Sequence, residues 1–275
     1  MSFTTADVVK LRKVTGAGMM DCKGALEDAN GDFERAVEII REKGKLVAAK
    51  RADRDAAEGV VLTKISADQK TGALVVLNCE TDFVAKNENF IAFTNRILDA
   101  ALENNAADLE ALKALSFDGR TIGTQVTEQT GVIGEKIDLS YYGKVNAETV
   151  VGYIHPGNKL ATLVGFNKAG VDVQVSKDVA MQVAAMAPVA VDKDSVPTEV
   201  VEKELAIAKE KFRLEGKPEA MLDKIAQGAL QKFFQESTLL NQVYVKDGKI
   251  TIKEFLSKTD KDLTVTAFER YTLNV

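Results

Sequence analysis

A pattern of strand, turn, strand and helix occurs twice in this chain. Residues 58–61 (Glu-Gly-Val-Val) resemble 148–151 (Glu-Thr-Val-Val), and 73–76 (Ala-Leu-Val-Val) have a looser counterpart in 161–164 (Ala-Thr-Leu-Val). Short runs of branched apolar residues that flank a polar turn predict an antiparallel strand pair, and a helical pattern follows each pair. We interpret the two copies as a duplicated core of two α+β subdomains. A chance similarity between two hairpins is the alternative.

The residues before the first copy have helical periodicity. Apolar side chains recur at helical spacing in three short stretches, which Gly16 and Gly31 separate. We therefore predict a three-helix module over residues 1–45, with the third helix ending before Gly44. The following residues, 46–57, contain Lys, Arg and Ala with little large apolar surface, which predicts an exposed linker.

A second helical pattern interrupts the second copy. Apolar residues recur at spacings of three and four in two stretches separated by a Gly-Lys-Pro turn: Val201, Leu205, Ala208 and Phe212, then Leu222, Ile225, Ala229 and Phe233. This spacing predicts an antiparallel helical hairpin whose apolar stripe packs internally or pairs with a second chain. Three short strands, near 243–245, 250–252 and 264–273, would complete the second copy.

These patterns define the predicted fold class and domains. The class is α+β, with an N-terminal three-helix module, a duplicated core of small antiparallel sheets with helices, and an inserted antiparallel helical hairpin. In chain order the parts are the helical module (1–45), the linker (46–57), the first core repeat (58–142), the second core repeat (143–187 and 237–275) and the hairpin (188–236) within the second repeat.

Charge and hydropathy exclude several functional classes. The chain of 275 residues has 36 Lys and Arg against 41 Asp and Glu, a net charge of −5, which argues against direct nucleic-acid binding. No apolar run reaches the roughly 18 residues that a membrane-spanning helix needs, so we expect no membrane interaction. The first ten residues lack the pattern of a signal peptide, and we expect a cytoplasmic protein.

The residue types needed for common active sites are scarce. His155 is the single histidine, and the two cysteines, Cys22 and Cys79, lie far apart, so the usual zinc motifs cannot form and reduced thiols are expected. Cys79 could act as a nucleophile only with His155 as its base, and burial as a small apolar residue is favoured. Glycine-rich phosphate-binding motifs are also missing from the sequence. We expect no catalytic residues, no metal and no cofactor.

The connection after the first strand pair is the most unusual stretch of the chain. Residues 78–87 read Asn-Cys-Glu-Thr-Asp-Phe-Val-Ala-Lys-Asn, with Phe83 beside Asp82 in a polar loop. The pattern alone favours a Phe83 side chain packed beneath the loop, because most phenylalanine side chains are buried. An exposed Phe83 beside a carboxylate would instead be typical of an interface anchor.

Two ungapped motifs resemble the bacterial translation elongation factor Ts family. They are residues 11–23 (Leu-Arg-Lys-Val-Thr-Gly-Ala-Gly-Met-Met-Asp-Cys-Lys) and residues 81–87 (Thr-Asp-Phe-Val-Ala-Lys-Asn). The resemblance extends over nearly the whole chain. It implies a guanine nucleotide exchange factor that binds the GTPase elongation factor Tu, GDP-bound and nucleotide-free, and supports translation elongation. It also implies a ubiquitin-associated-like N-terminal module and self-association through the hairpin.

The resemblance further implies three groups of partner-binding residues. They are Leu11, Met19, Met20 and Lys23 in the helical module; Thr81, Asp82, Phe83 and Val84 in the loop; and Ile133, Gly134 and His155, through which the second repeat would contact another domain of the partner. The loop would promote GDP release by entering the partner beside its Mg²⁺ and phosphate site. Adjacent residues of a helix cannot both face inward, so one of Met19 and Met20 should be exposed.

One departure from the family and two alternative functions complete the sequence-based expectations. Many family members continue into a C-terminal helix that adds partner contacts. This sequence ends at Val275, and we expect those contacts to be missing. An enzyme could use Glu80, Asp82 and His155 for acid–base chemistry at the loop. An adaptor could bind other proteins or peptides through the N-terminal module alone.

Overall fold

Three helices form the N-terminal module in the computed structural model, which describes residues 3–273. They are α1 (Thr5–Thr15), α2 (Met19–Asp28) and α3 (Phe33–Lys50). Thr4 begins α1 with a capping box, in which the Asp7 carboxylate accepts a hydrogen bond from the Thr4 N–H at 2.8 Å. Gly16 ends it in the left-handed conformation (φ 75°). The helices enclose their own core, which includes Val8, Leu11, Cys22, Ala25, Leu26, Ala36, Val37 and Ile40.

The first half of the core combines one sheet with four helices. Its elements are β1 (Glu58–Ile65), β2 (Thr71–Cys79), α4 (Asp82–Ala85), α5 (Glu88–Glu103), α6 (Leu109–Ala114), β3 (Ser116–Phe117), β4 (Arg120–Thr121), α7 (Ile122–Ile133) and β5 (Asp138–Asn146). The antiparallel sheet has the order β1-β2-β5, with β3 and β4 in a separate short hairpin.

The second half repeats this order around a second sheet. Its elements are β6 (Thr149–Ile154), β7 (Leu160–Phe166), α8 (Val173–Met186), α9 (Thr198–Leu214), α10 (Glu219–Ser237), β8 (Val243–Tyr244), β9 (Asp247–Thr251), α11 (Ile252–Thr259) and β10 (Val265–Thr272). The sheet order is β10-β7-β6, so the second strand is central in both sheets. The duplicated order predicted from sequence is therefore present.

The structure extends this correspondence beyond the strand pairs. A β-hairpin with a two-residue loop precedes a threonine-capped helix in both halves. The hairpin β3–β4 leads to α7, which Thr121 caps, and the hairpin β8–β9 leads to α11, which Thr251 caps. We did not predict α11 from sequence. In chain order, the helices α9 and α10 lie between α8 and β8, as the short α6 lies between α5 and β3 in the first half. The fold class is α+β, as expected, and the two sheets pack face to face through branched apolar side chains.

Two sequence-based boundaries need correction or comment. The prediction that the third helix ends before Gly44 is wrong, because α3 continues to Lys50. Gly44 instead allows close packing: a Cβ added to Gly131 of α7 would lie 2.1 Å from the Gly44 Cα. The division between residues 142 and 143 falls inside β5. The domain division as a whole stays a prediction.

The two long helices α9 and α10 pack against each other, but not through all the residues of the predicted stripe. Ala208 of α9 is buried, as are Leu222, Ala226 and Leu230 of α10, whereas the predicted Ile225, Ala229 and Phe233 are half-buried. The buried residues of α10 recur every four positions from Leu222, so the most buried line of the helix lies beside the predicted stripe and shares Leu222 with it. Within residues 3–273, none of the helices combines the length and apolar character needed to cross a membrane.

Candidate protein-interaction site

Phe83 lies on the outer side of α4, a four-residue helical turn between β2 and α5. Its side chain is 83% exposed, so the prediction of a packed Phe83 is wrong. The turn has room to bury only part of its short sequence. Val84 packs against the core of the first repeat and Ala85 is buried, which directs the preceding Asp82 and Phe83 side chains outward.

A charged pair lies beside this exposed ring. The Asp82 carboxylate accepts a hydrogen bond from Lys86 Nζ at 2.6 Å, and both side chains are exposed. This hydrogen bond lowers the pKa of Asp82 below its usual value, and Lys159 lowers it further. Because the pKa is lowered, Asp82 is ionised at neutral pH. The tip of the loop therefore combines an aromatic ring with a carboxylate.

The helical module presents part of its predicted contact set. Met20 is 76% exposed, while Met19 packs against the module core, as expected for adjacent helix positions. Lys23 is half exposed and lies 3.7 Å from Glu27. Leu11, in contrast, is fully buried in the core, so its side chain packs the three helices together and is not available to a partner.

The third predicted group is divided between the two halves of the core. Ile133 and Gly134 lie at the end of α7, in the first half, which corrects their assignment to the second repeat. Gly134 has φ 81° and ends the helix. His155 lies in the exposed turn between β6 and β7, where its Nδ1 is 2.9 Å from the Tyr153 hydroxyl. Only His155 of this group belongs to the second half.

An open cleft of about 980 Å³ is lined by residues from all three of these groups. Met19 and Val14 of the module line one side, and Val84, Phe90 and Ile133 of the core line the other. The packing of α3 on α7 sets the width of the cleft, since both helices contribute residues to its walls. Residues that are distant in sequence thus form one surface that is continuous with the loop.

The groups near the loop are arranged for structure more than for acid–base chemistry. Glu80 accepts hydrogen bonds from Arg51 and from the Lys136 N–H, and its pKa is lowered by the Lys136 contact first and Arg51 second. Burial raises the pKa of Cys79 to about 12, which keeps the thiol protonated. Among residues 3–273, no group of three or more His, Cys, Asp and Glu side chains could hold a metal ion.

Sequence reasoning missed the residues that hold the loop from behind. Arg51 and Glu135 contact residues 80 and 81, although Glu135 is 54 positions from Thr81 in the sequence. Sequence patterns report neighbours along a helix or strand, and no such period connects these positions. The one local signal was Gly134, a residue type that often ends helices and redirects the chain.

An exposed aromatic residue on a fixed turn, next to a cleft lined by two parts of the chain, is typical of proteins that act by binding another macromolecule. Comparison with known proteins specifies the family. A family model described as "Elongation factor TS" matches residues 80–275. Relatives named elongation factor Ts cover the rest of the chain as well.

Three of these relatives illustrate the similarity. The protein of Porphyromonas gingivalis is 54% identical over 276 residues, covering 100% of this chain and 99% of the relative. That of Azobacteroides pseudotrichonymphae is 50% identical and covers 100% of both chains. That of Amoebophilus asiaticus is 52% identical and covers 98% of both. The chain belongs to the elongation factor Ts family. Membership implies a nucleotide exchange factor for elongation factor Tu in translation elongation.

Proposed function

We propose that this chain releases GDP from elongation factor Tu by inserting the Asp82–Phe83 turn beside the Mg²⁺ and phosphate site of the GTPase. The observation that supports this mechanism is the 83% exposure of Phe83 on a turn whose other apolar residues face the core. A large ring can move between packed side chains and displace the backbone that holds the metal or the phosphate. Thr81 and Val84 flank this insertion.

The thermodynamic requirement is that the two ligands of the GTPase weaken each other. An exchange factor must bind the nucleotide-free GTPase more tightly than the GDP-bound form, and by linkage it then weakens GDP binding by the same factor. Phe83 is the wedge that disturbs the site, while Asp82, ionised at neutral pH, competes for polar groups nearby. This division of roles needs no phosphate site on the exchange factor itself.

The helical module supplies a second part of the interface. In this proposal it has a ubiquitin-associated-like fold and docks on the nucleotide domain of elongation factor Tu through Met20, Met19 and Lys23. The exposure of Met20 supports this role, because flexible thioether side chains suit adaptable apolar contacts. Ile133 and Gly134 extend the same surface at the end of α7, and His155 adds a contact from the second repeat.

The helices α9 and α10 are proposed to mediate self-association. Apolar surface stays uncovered along the two helices and at their tip. Its exposed side chains are Ile207 (51% exposed), Leu214 (80%) and Met221 (49%). Sedimentation velocity over a range of concentrations tests this proposal, with Leu214→Asp as the variant expected to shift the equilibrium to the monomer. The proposed location of the protein is the cytoplasm, where translation elongation takes place.

The test of the exchange function is the release of a fluorescent GDP analogue from the cognate elongation factor Tu, with excess unlabelled GDP. Saturating amounts of this chain should accelerate release, and Phe83→Ala should reduce that acceleration by about 30- to 1,000-fold, the usual cost of truncating a central anchor. Acceleration that Phe83→Ala leaves unchanged would move the mechanism to another surface. No acceleration at all would contradict the exchange function.

Met20→Asp separates exchange from the adaptor alternative. Because α3 packs on α7, removal of the whole module would expose a core face, so a point variant is the cleaner change. An exchange factor with this substitution should need a higher concentration for half-maximal release while retaining its wedge. An adaptor that binds only through the module should lose all binding.

A further inference from the structure

The carboxylate of Glu135 fastens the base of the Phe83 turn. Its Oε2 accepts hydrogen bonds from the backbone N–H groups of Glu80, at 3.1 Å, and of Thr81, at 3.0 Å. Its Oε1 accepts a third from the Thr81 hydroxyl, at 2.7 Å. These donors are consecutive groups immediately before α4, so one side chain fixes the direction in which the backbone enters the turn. Hydrogen bonds to an ionised acceptor are stronger than those between neutral groups.

Glu80 makes the reciprocal contact. Its Oε1 accepts a hydrogen bond from the Lys136 N–H at 2.6 Å, while Arg51 NH1 donates to both of its oxygens, at 2.7 and 2.9 Å. The Glu135 carboxylate thus accepts from the backbone N–H of Glu80, and the Glu80 carboxylate accepts from the backbone N–H of Lys136, the residue that follows Glu135. Lys136 Nζ in turn donates to the carbonyl oxygens of Ala52 and Arg54, which ties the same point to the chain that follows α3.

The turn depends on this clamp at its beginning, because only its far end, at Val84 and Ala85, packs against the core. A helical turn of four residues is too short to be stable on its own. Thr81 occupies its N-cap position, yet its side chain makes no capping hydrogen bond, and its hydroxyl donates to Glu135. The exposed Phe83 side chain adds almost no packing. The orientation of the ring is therefore set from behind, through the backbone of residues 80 and 81.

Gly134 allows Glu135 to reach the loop. The chain leaves α7 at Gly134 with φ 81°, a left-handed conformation that favours glycine, and the reversal turns the next residue toward the end of β2. Ile133 and Gly134 were predicted, with His155, as partner-binding residues. Its position beside the clamp gives this turn a second role within the protein.

We propose that Glu135 is a positioning residue for Phe83: it holds α4 in the orientation that enters the partner, and it acts through the backbone of residues 80 and 81. This inference rests on the exchange function proposed above. A ligand whose competent conformation is populated only in part binds more weakly by that fraction, so loss of the clamp lowers the productive insertion of Phe83. Glu135 itself does not have to touch the partner.

The absence of tryptophan from the sequence provides a direct probe of this positioning. Phe83→Trp introduces a single tryptophan at the exposed site, which can be excited apart from the five tyrosines, and its anisotropy in the free protein reports how firmly the turn is held. Adding Glu135→Ala should lower the anisotropy. Adding Glu135→Gln should largely retain it, because the amide oxygen can accept from the two backbone N–H groups and the amide nitrogen can donate to the Thr81 hydroxyl.

The second measurement is GDP release with Phe83 in place. Glu135→Ala should reduce the stimulated release at saturation about tenfold, the effect of losing a charge-assisted hydrogen bond, and Glu135→Gln should recover most of it. The matched control is Glu103→Ala, which removes an exposed carboxylate at the far end of α5 and should change neither signal. Thr81→Val removes one of the three donors and should give an intermediate loss in both measurements, which provides a test if Glu135→Ala does not fold.

Two results would overturn the inference. One is an unchanged anisotropy in folded Glu135→Ala, which would mean that other contacts hold the turn. The other is lowered anisotropy with undiminished release, which would mean that the orientation of the turn does not matter for exchange. Phe83→Ala, measured in parallel, separates this inference from the proposed function: if release does not depend on Phe83, the wedge fails, while the anisotropy still decides whether Glu135 holds the turn.

Discussion

The two halves of the core make the same connection, from the central strand of a sheet to the helix that covers it, with opposite outcomes. In the first half, the connection from β2 to α5 includes α4 and presents Phe83 to solvent. In the second half, the connection from β7 to α8 consists of residues 167–172, which form no helical turn and contain no aromatic residue. The architecture supplies a loop at this place twice, and only the first loop presents an exposed aromatic side chain.

The second loop is tied through its first two residues, Asn167 and Lys168, to the chain that precedes β10. The Asn167 side chain donates to the Asp262 carbonyl and accepts from the Thr264 N–H, both at 2.8 Å, and Lys168 Nζ bonds the Asp260 carboxylate at 2.6 Å. The first loop is held at its base by residues 80 and 81 and, after Phe83, by Val84 and Ala85, which pack against the core. The comparison teaches that the two copies of a duplicated fold can differ at one loop, where a single aromatic side chain is left without internal packing.

The largest expected effect comes from removing the aromatic side chain of the first loop and placing one directly after the second loop, at the first residue of α8. Phe83→Ala should reduce stimulated GDP release by about 30- to 1,000-fold, and adding Val173→Phe at the start of α8 should not restore it. Val173 is 64% exposed, so the larger side chain fits without strain. Release rates of the single and double variants provide the measurement. Recovery in the double variant would show that position within the fold does not matter, which would break the comparison.

A second expected effect distinguishes α7 from its counterpart α11. Helix α7 packs against α3 of the helical module through Gly131 and Gly44, and within residues 3–273 no glycine pair of this kind packs a helix against α11. Gly131→Val should push α7 away from α3, because the first added carbon would lie 2.1 Å from the Gly44 Cα. We expect a loss of about 1–3 kcal/mol in the free energy of unfolding, typical of overpacking, together with weaker binding to the partner.

The matched control for this variant is Gly24→Ala in α2. An added Cβ at Gly24 meets no atom within 4 Å, and alanine is the better helix former, so stability should rise by up to about 1 kcal/mol. Urea unfolding of both variants is the measurement. Equal stabilities for Gly131→Val and the unmodified chain would contradict the close packing of α3 on α7.

The third expected effect reverses the pattern of the first, because it concerns stability in the second half. Asp178 is buried and accepts hydrogen bonds from Lys246 at 2.7 Å, Tyr244 at 2.6 Å and Gln174 at 2.7 Å. Asp178→Asn should lower the free energy of unfolding by about 1–2 kcal/mol, since a charged acceptor with good partners is lost. Stimulated GDP release should stay the same, and a fall in release would contradict the assignment of exchange to the first half.

The pH dependence of this variant gives an independent check. Burial raises the pKa of Asp178, but the hydrogen bonds from Lys246, Tyr244 and Gln174 outweigh burial and hold it below the usual value. A carboxylate with a lowered folded-state pKa stabilises the protein above its unfolded pKa of about 4, and the stabilisation is lost as the pH falls through the folded value. The stability difference between the two proteins should therefore shrink in acid.

The smallest expected effect concerns the charged pair at the loop tip. Lys86→Ala removes the exposed partner of Asp82, and exposed ion pairs contribute only about 0.2–1 kcal/mol. Stimulated release should change by less than about fivefold, and the change should diminish as added salt screens the pair. A loss as large as that of Phe83→Ala would assign the main role to charge and not to the aromatic ring.

Sequence periodicity predicted the elements that obey it. The apolar runs of β1, β2 and β7 and the capped helices of the module satisfy local rules, and the two copies follow the same order of elements in the structure. Helix α11 was not predicted, because the expected strand at 250–252 includes only its first residue, Ile252, and the short stretch that follows was given no assignment. The passage of α3 through Gly44 depended on packing against α7, a contact that no local pattern contains.

The site was predicted only where the resemblance to a family identified its residues. The direction of Phe83 could not follow from pattern, because four residues are too few to define a helical face, and the general burial preference of phenylalanine gave the wrong side. Leu11 shows the reverse case, since a position matched to family contacts proved to be a core residue. Glu135 acts across a separation of 54 residues and became visible only through its hydrogen bonds to the loop.

The central claim is that Phe83 binds the partner and contributes nothing to the fold. The most direct test measures two quantities on one variant, Phe83→Ala: its free energy of unfolding in urea and the GDP release that it stimulates at saturation. The account predicts an unfolding free energy within about 0.5 kcal/mol of the unmodified chain, as for other exposed positions, with release reduced at least about 30-fold. Stability and release that fall together would contradict it, because they would show that Phe83 supports the fold.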